Sequence, residues 1–359
     1  LTSNTTGTRN VAVGEGALTA STTASFNTAV GALAADALTT GANNTAIGLQ
    51  ALTSATTSDN NTAVGFQAGF SNTTGIRNVM IGRAAGYSNT AGQDSVFVGD
   101  FAGNASTASY TTAVGSASLQ NNTTGGTNTA VGYGSLFSNT TASSNTAVGY
   151  QAGYSATTSA RNTLVGQEAG YSLTTGGNKH NVAVGYRSMY ATTTGGSNTA
   201  HGAYTLDANT TGEANTAIGY ATLSSATTAS NNTAVGYQAA YSNTTGTRNT
   251  VLGKNAYYTA TTGNDNIAIG EGALYYNTGG SQNTAVGRSA LVSNTTANNN
   301  TAVGYNALNA NTTGVHNIAI GATAMQNTTT GLNNTAVGGA ALISNTTGDS
   351  NTALGRQAL

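Results

Sequence analysis

Hydrophobic and polar positions along this chain recur with a fixed period of 17 residues, close to N-T-A-V-G-x-x-A-L-x-x-N-T-T-G-x-x, repeated 21 times and anchored on glycines from Gly14 to Gly355. Of the 20 intervals between anchors, 18 are 17 residues, one is 16 (Gly99 to Gly115) and one is 19 (Gly166 to Gly185). A period this short means one supersecondary unit stacked on copies of itself. Counting from the anchor glycine, position −3 is β-branched in all 21 repeats and position −1 is Val, Ile or Leu in 20, with His201 the exception. Alternation of this kind marks a short strand, and β-branched residues suit a pleated surface. Thr, Val, Gly and Asn are poor helix formers, and no heptad pattern is present. The expected fold is therefore all-β: a parallel β-solenoid, or β-roll, of 21 coils forming a single domain over residues 1–359. At about 4.8 Å per coil it would be on the order of 100 Å long.

Positions −3 and −1 share one face of the strand and are expected to fill the coil interior, as at Val64, Val148 and Val235. Position −2 then points outward, yet it is Ala in 17 repeats and Met80, Phe97, Leu164 or Val251 in the other four. A strand apolar on both faces is covered on both faces. The expectation is a parallel homotrimer with the −2 column on the threefold axis and Met80, Phe97, Leu164 and Val251 in contact across it. The anchor glycines, Gly65, Gly149 and Gly236 among them, are expected where a side chain cannot go. Position −4 is Asn in 19 repeats, including Asn61, Asn145 and Asn232, and gives way only at Ser95 and Thr111. Its amide is suited to bonding along a stack of equivalent corners. After the glycine, +3 is small and +4 usually Leu. Where +4 is Gly, +5 is aromatic in four cases of five (Phe70, Tyr87, Tyr154, Tyr171), which suggests one packing slot filled from either position. The two length changes fall before the strand, around Tyr110 and around Gly177 to Lys179, where loops tolerate them.

Charge tests the stacking. If each residue lies beside its equivalent in the next coil, opposite charges should recur at one-repeat spacing. They do so in Arg77 with Asp94, Arg83 with Asp100, Arg248 with Asp265, Lys254 with Glu271 and Glu271 with Arg288. Glu168 and Arg187 are equivalent across the 19-residue coil. Such exposed pairs fix register more than they stabilise.

Composition narrows the function. With 10 basic and 11 acidic residues and a net charge of −1, no basic footprint for nucleic acid exists. No apolar run is long enough for a membrane helix, so direct membrane insertion of this segment is not expected. Without cysteine there are no disulfides or thiolate ligands. Both ends cut through a repeat, which predicts a piece of a longer fibre. The acids are mostly matched by basic residues, leaving no free carboxylate pair for glycoside hydrolysis, and no Ser–His–acid signature is present. The glycines all belong to the repeat rather than to a nucleotide loop. The chain is therefore expected to be a non-enzyme with no cofactor and no metal. His201, in place of an interior valine, is a weak candidate ion site, against the plainer reading of a histidine paired with a hydroxyl or water. His180 and His316 occupy the exposed −5 column in distant coils. Tyrosines at +1 (Tyr133, Tyr150, Tyr186, Tyr220, Tyr237, Tyr305) suit stacking on sugars, and equally suit an exposed strand edge. The N-T-T triplets at Asn72, Asn139, Asn243 and Asn345 fit the glycosylation pattern, but their recurrence with the period reads as turn chemistry.

The pattern N-x-[AV]-[VI]-G-x-x-[AS], as in Asn61-Thr62-Ala63-Val64-Gly65-Phe66-Gln67-Ala68, resembles the head repeats of YadA-like trimeric autotransporter adhesins. The N-T-A-V-G-Y-x-A-L-x-S-N-T-T-G text also resembles phage-type tail-fibre shafts. The resemblance implies a left-handed β-roll, a homotrimer, and a place outside the cell, on a bacterial surface or a virion. It implies a structural or adhesive fibre that spaces and presents a tip binding surface glycans or a host receptor. Two alternatives remain. One is an ice-binding solenoid, against which stand the lack of T-x-T and the exchange of −3 Thr for Val or Ile, as at a buried position. The other is a cell-surface filament or sheath.

Overall fold

In the computed structural model, described for residues 1–174, 176–177 and 179–359, the described chain contains no helix. It contains 21 strands of three residues each, always positions −3 to −1, from β1 (Val11–Val13) to β21 (Thr352–Leu354). The chain divides into two units, Leu1–His180 and Asn181–Leu359. The first holds β1 to β10 (Thr163–Val165), and the second holds β11 (Val182–Val184) to β21. Within each unit, consecutive strands pair in parallel without slippage, for instance Thr146 with Thr163, Ala147 with Leu164 and Val148 with Val165. This is a parallel β-solenoid in which one repeat makes one coil. Of the candidate indel positions, Asn178 lies outside the described residues, and Tyr110 stands exposed before its strand as expected.

The two faces of the strand are the reverse of the sequence expectation. Position −2 is the interior: Ala147 and Ala234 are wholly buried, as are Met80, Phe97, Leu164 and Val251. Those four side chains lie inside their coils and make no threefold contact. Val64, Val148 and Val235 at −1, with the −3 residues, point outward and are only half-buried or exposed. The reason is width. The coil is narrow: Ala at −2, the small residue at +3 and Leu at +4 are all buried, and these positions together with Asn at −4 and +7 make up the core. Opposite a +4 leucine the −2 position holds only Ala, and the β-branched side chains of −3 and −1 lie outside, where they suit a parallel ladder.

The four oversized −2 residues need compensating space, and glycine at +4 provides it for three of them. Met80 lies between Gly69 and Gly86, Phe97 between Gly86 and Gly103, and Leu164 between Gly153 and Gly170. A Cβ on Gly69 would stand 2.8 Å from Met80 Cε, one on Gly86 2.8 Å from Phe97 Cδ2, and one on Gly153 2.8 Å from Leu164 Cδ1. The slot left by a +4 glycine is thus filled from −2, across the coil, and not from +5. The +5 aromatics stack outside instead, Phe70 on Tyr87 with centroids 4.9 Å apart and Tyr154 on Tyr171 at 5.3 Å. Beside Val251, which Ala240 accommodates from one side, the +4 position is Tyr257, a buried tyrosine whose hydroxyl accepts a 2.8 Å bond from Asn266 Nδ2.

The corners are held by polar ladders. Asn44 Oδ1 accepts the amide N–H of Asn61 at 3.0 Å, while Asn61 Nδ2 donates to the Gly75 carbonyl at 2.8 Å. The same arrangement recurs at Asn145 and Asn232. Where Asn gives way, hydroxyls stand in: the Thr111 N–H donates to Ser95 Oγ at 3.2 Å. Buried amides satisfied in this way cost little, whereas orphaned ones would cost about 1–3 kcal/mol each. The anchor glycine is required by both backbone and space. Gly65 has φ of 140°, and a Cβ there would stand 2.5 Å from the Gly82 carbonyl oxygen of the next coil.

Candidate functional site

Among the described residues the chemically distinctive side chains lie in columns on the exterior of the coils. The first is the outer face of the strands. Thr and Val at −3 alternate along the chain with aliphatic −1 residues, and these remain accessible at Ile218 (40%), Leu252 (48%) and Ile320 (41%). His201 belongs to this column. It is exposed and sits in register between Val184 and Ile218, so it replaces an outward valine and not an interior one. Among the described residues no group of three His, Cys, Asp or Glu side chains is assembled for a metal. His180 and His316 are exposed, and His316 Nε2 lies 3.5 Å from Asn299 Nδ2.

The second feature is the set of charge pairs between coils. Arg77 Nε meets Asp94 Oδ1 at 2.6 Å, Arg83 meets Asp100 at 2.7 Å and Arg248 meets Asp265 at 2.6 Å, each also joined through Nη2 to the second carboxylate oxygen. These bidentate hydrogen bonds hold the three aspartate carboxyls below their ordinary range and raise the arginines. Glu271 lies between Lys254 at 3.9 Å and Arg288 at 3.7 Å. Glu168 and Arg187 fall in different units; Arg187 reaches Asp207 at 3.5 Å and lies over the Tyr190 ring. That contact was not anticipated, because Asp207 is displaced in the repeat from the position of Arg187.

The third feature is aromatic. The +1 tyrosines are exposed, and neighbours stack: Tyr133 on Tyr150 at 5.5 Å and Tyr220 on Tyr237 at 5.4 Å. A separate ladder at +5 joins Tyr241, Tyr258 and Tyr275 at 5.2 and 5.1 Å. It was legible as three tyrosines at one-repeat spacing.

The N-T-T-G asparagines point inward. Asn139 and Asn243 are buried and donate to the carbonyls of Ala142 and Gly246, and Asn72 is buried as well. The Asn139 and Asn243 side chains are corner braces, and burial closes all three to a glycosyl donor. The first Thr of the quartet donates its hydroxyl to the next coil, as Thr140 Oγ1 does to the Thr157 carbonyl at 3.2 Å. Compared with known proteins, the chain matches no family model and no curated protein.

Proposed function

We propose that this chain is a segment of a structural and adhesive fibre, displayed on a bacterial surface or a virion, whose copies associate side by side as a parallel homotrimer. The observation that carries the reading is the outward −3/−1 face. It is an apolar column repeated in coil after coil on a chain with few charges, and soluble monomers rarely leave such a stripe uncovered. Such a stripe, turned toward a common axis, is buried on every copy by closed cyclic association. The ladders at the corners and the bidentate pairs between coils give the stack the fixed register that a load-bearing shaft needs. Its role is to space and present a tip, with contacts to surface glycans or a host receptor along the way. Sedimentation equilibrium of the full chain is expected to give three times the chain mass; a stable, soluble monomer overturns the reading.

One observation supports an ice-binding function as a second reading. The −3 threonines, such as Thr28, Thr45 and Thr62, face outward in an in-register row and are not the buried residues that their exchange with Val suggested. A thermal hysteresis assay separates the two: ice shaping by the monomeric chain favours this function, and its absence removes it.

A further inference from the structure

We infer that the second unit carries a saccharide-binding cleft where the Tyr241–Tyr258–Tyr275 ladder ends. In the coil before Tyr241 the +5 position is Ser224, so the stack stops and one face of the Tyr241 ring has no aromatic neighbour above it. A cleft of about 300 Å³ opens there, lined by Tyr204, Asp207, Tyr220, Ser224, Gln238 and Tyr241. Its far wall is rigid, because Tyr220 stacks on Tyr237 at 5.4 Å and meets Tyr204 edge-on at 5.9 Å. The opposite end of the ladder repeats the arrangement. Beyond Tyr275 the +5 position is Val292, and a second cleft of about 230 Å³ opens beside Tyr275, Tyr276, Asn255 and Ser289. Both clefts open where the Tyr241–Tyr258–Tyr275 ladder ends.

A pyranose fits this chemistry. One face of the ring presents C–H groups suited to an aromatic face, while its hydroxyls need donors and acceptors at the rim. Asp207 accepts, Gln238 both donates and accepts, and the Ser224 and tyrosine hydroxyls do either. Concave sites of this size, with aromatic walls and few polar groups, are the usual form of small-ligand sites. Arg187 lies 3.5 Å from Asp207 and balances its charge, so the cleft suits neutral sugars over uronates.

The inference deepens the glycan contacts of the fibre reading but does not need the trimer, because these side chains lie between +1 and +5, apart from the −3/−1 face. The chain has no tryptophan and 17 tyrosines, so intrinsic tyrosine fluorescence reports on it directly. The full chain would be titrated with hexasaccharides of glucose, mannose and galactose, and with a hexuronate as the acidic comparison. At least one neutral probe is expected to give a saturable change. Tyr241→Ala should weaken it tenfold or more, and Tyr133→Ala, in the other unit, less than twofold. Ser224→Tyr extends the ladder into the cleft without removing any core contact; it should abolish binding and leave thermal stability unchanged or higher. No response to any neutral probe at about 10 mM, a response confined to the hexuronate, or binding that survives Ser224→Tyr overturns the site. A chain that binds sugar yet sediments as a monomer would reject the trimer and leave the cleft standing.

Discussion

Side chains at +2, +4 and −5 occupy the left-handed region of backbone space in nearly every coil, as at Ala117 (φ 58°), Leu119 (φ 48°) and Thr127 (φ 55°). For an L-residue this costs roughly 1–2 kcal/mol, and glycine escapes the cost. That explains Gly16, Gly134 and Gly272 at +2 and the five glycines at +4. Ala117→Gly is therefore expected to raise stability by about 0.5–1 kcal/mol, whereas Ala32→Gly, at +1 with ordinary φ, should lower it by a similar amount. Thermal unfolding of the two variants checks this, and equal effects would contradict the assignment. Titration acts at the same scale. The Asp94, Asp100 and Asp265 carboxyls have folded pKa values below their unfolded ones, so their contribution is present above the ordinary carboxylate range and is lost as pH falls through the folded values. Melting temperature should accordingly drop below about pH 4, and the triple Asp→Asn variant should show a shallower drop.

At the level of the coil, period, strand position, parallel register, Asn corners and five of the six charge pairs were legible in the sequence, because each follows from placing a residue beside its equivalent one repeat on; Arg187 with Asp207 was not, because the two differ in repeat position. Which face turns inward was not. A period of two separates the faces, but when both are apolar it leaves open which one is the core. Choosing the larger side chains was the wrong criterion in so narrow a coil. The deciding signal was nonetheless in the sequence: Met80, Phe97 and Leu164 each lie 11 residues after one +4 glycine and six before another. Only a shared interior links −2 with +4 in that way. The relation predicts that Ala130→Leu, flanked by Leu119 and Leu136, overpacks the coil and costs about 1–3 kcal/mol. Adding Leu119→Gly and Leu136→Gly should recover part of the loss, as the triple variant reproduces the surroundings of Leu164. Thermal unfolding in which the glycines deepen the loss would refute the pairing. The sugar-binding cleft was less legible. The +5 tyrosines were visible as a column, but that Ser224 interrupts it matters only once the rings are seen to stack.

For the molecule as a whole, corrected inside and outside change which residues control assembly. If the −2 column formed the interface, a charge at Ala234 would split the assembly and spare the coil. With Ala234 wholly buried, Ala234→Asp places an unpaired carboxylate in an apolar interior and should unfold the surrounding coils. Ile218 and Leu252 are the contrasting pair, two coils apart on the outer face, with room for a lysine to extend into solvent in the isolated chain. Ile218→Lys with Leu252→Lys should keep the β-sheet circular dichroism of the parent chain. In a trimer closed on this face the two changes bring six ammonium groups close to one axis, and like charges that have lost their water repel strongly. On the trimer reading, the parent is expected to sediment as a trimer and the double variant as a folded monomer, with dissociation relieved at high salt. A variant that stays trimeric at low salt would place the contact between copies on another face.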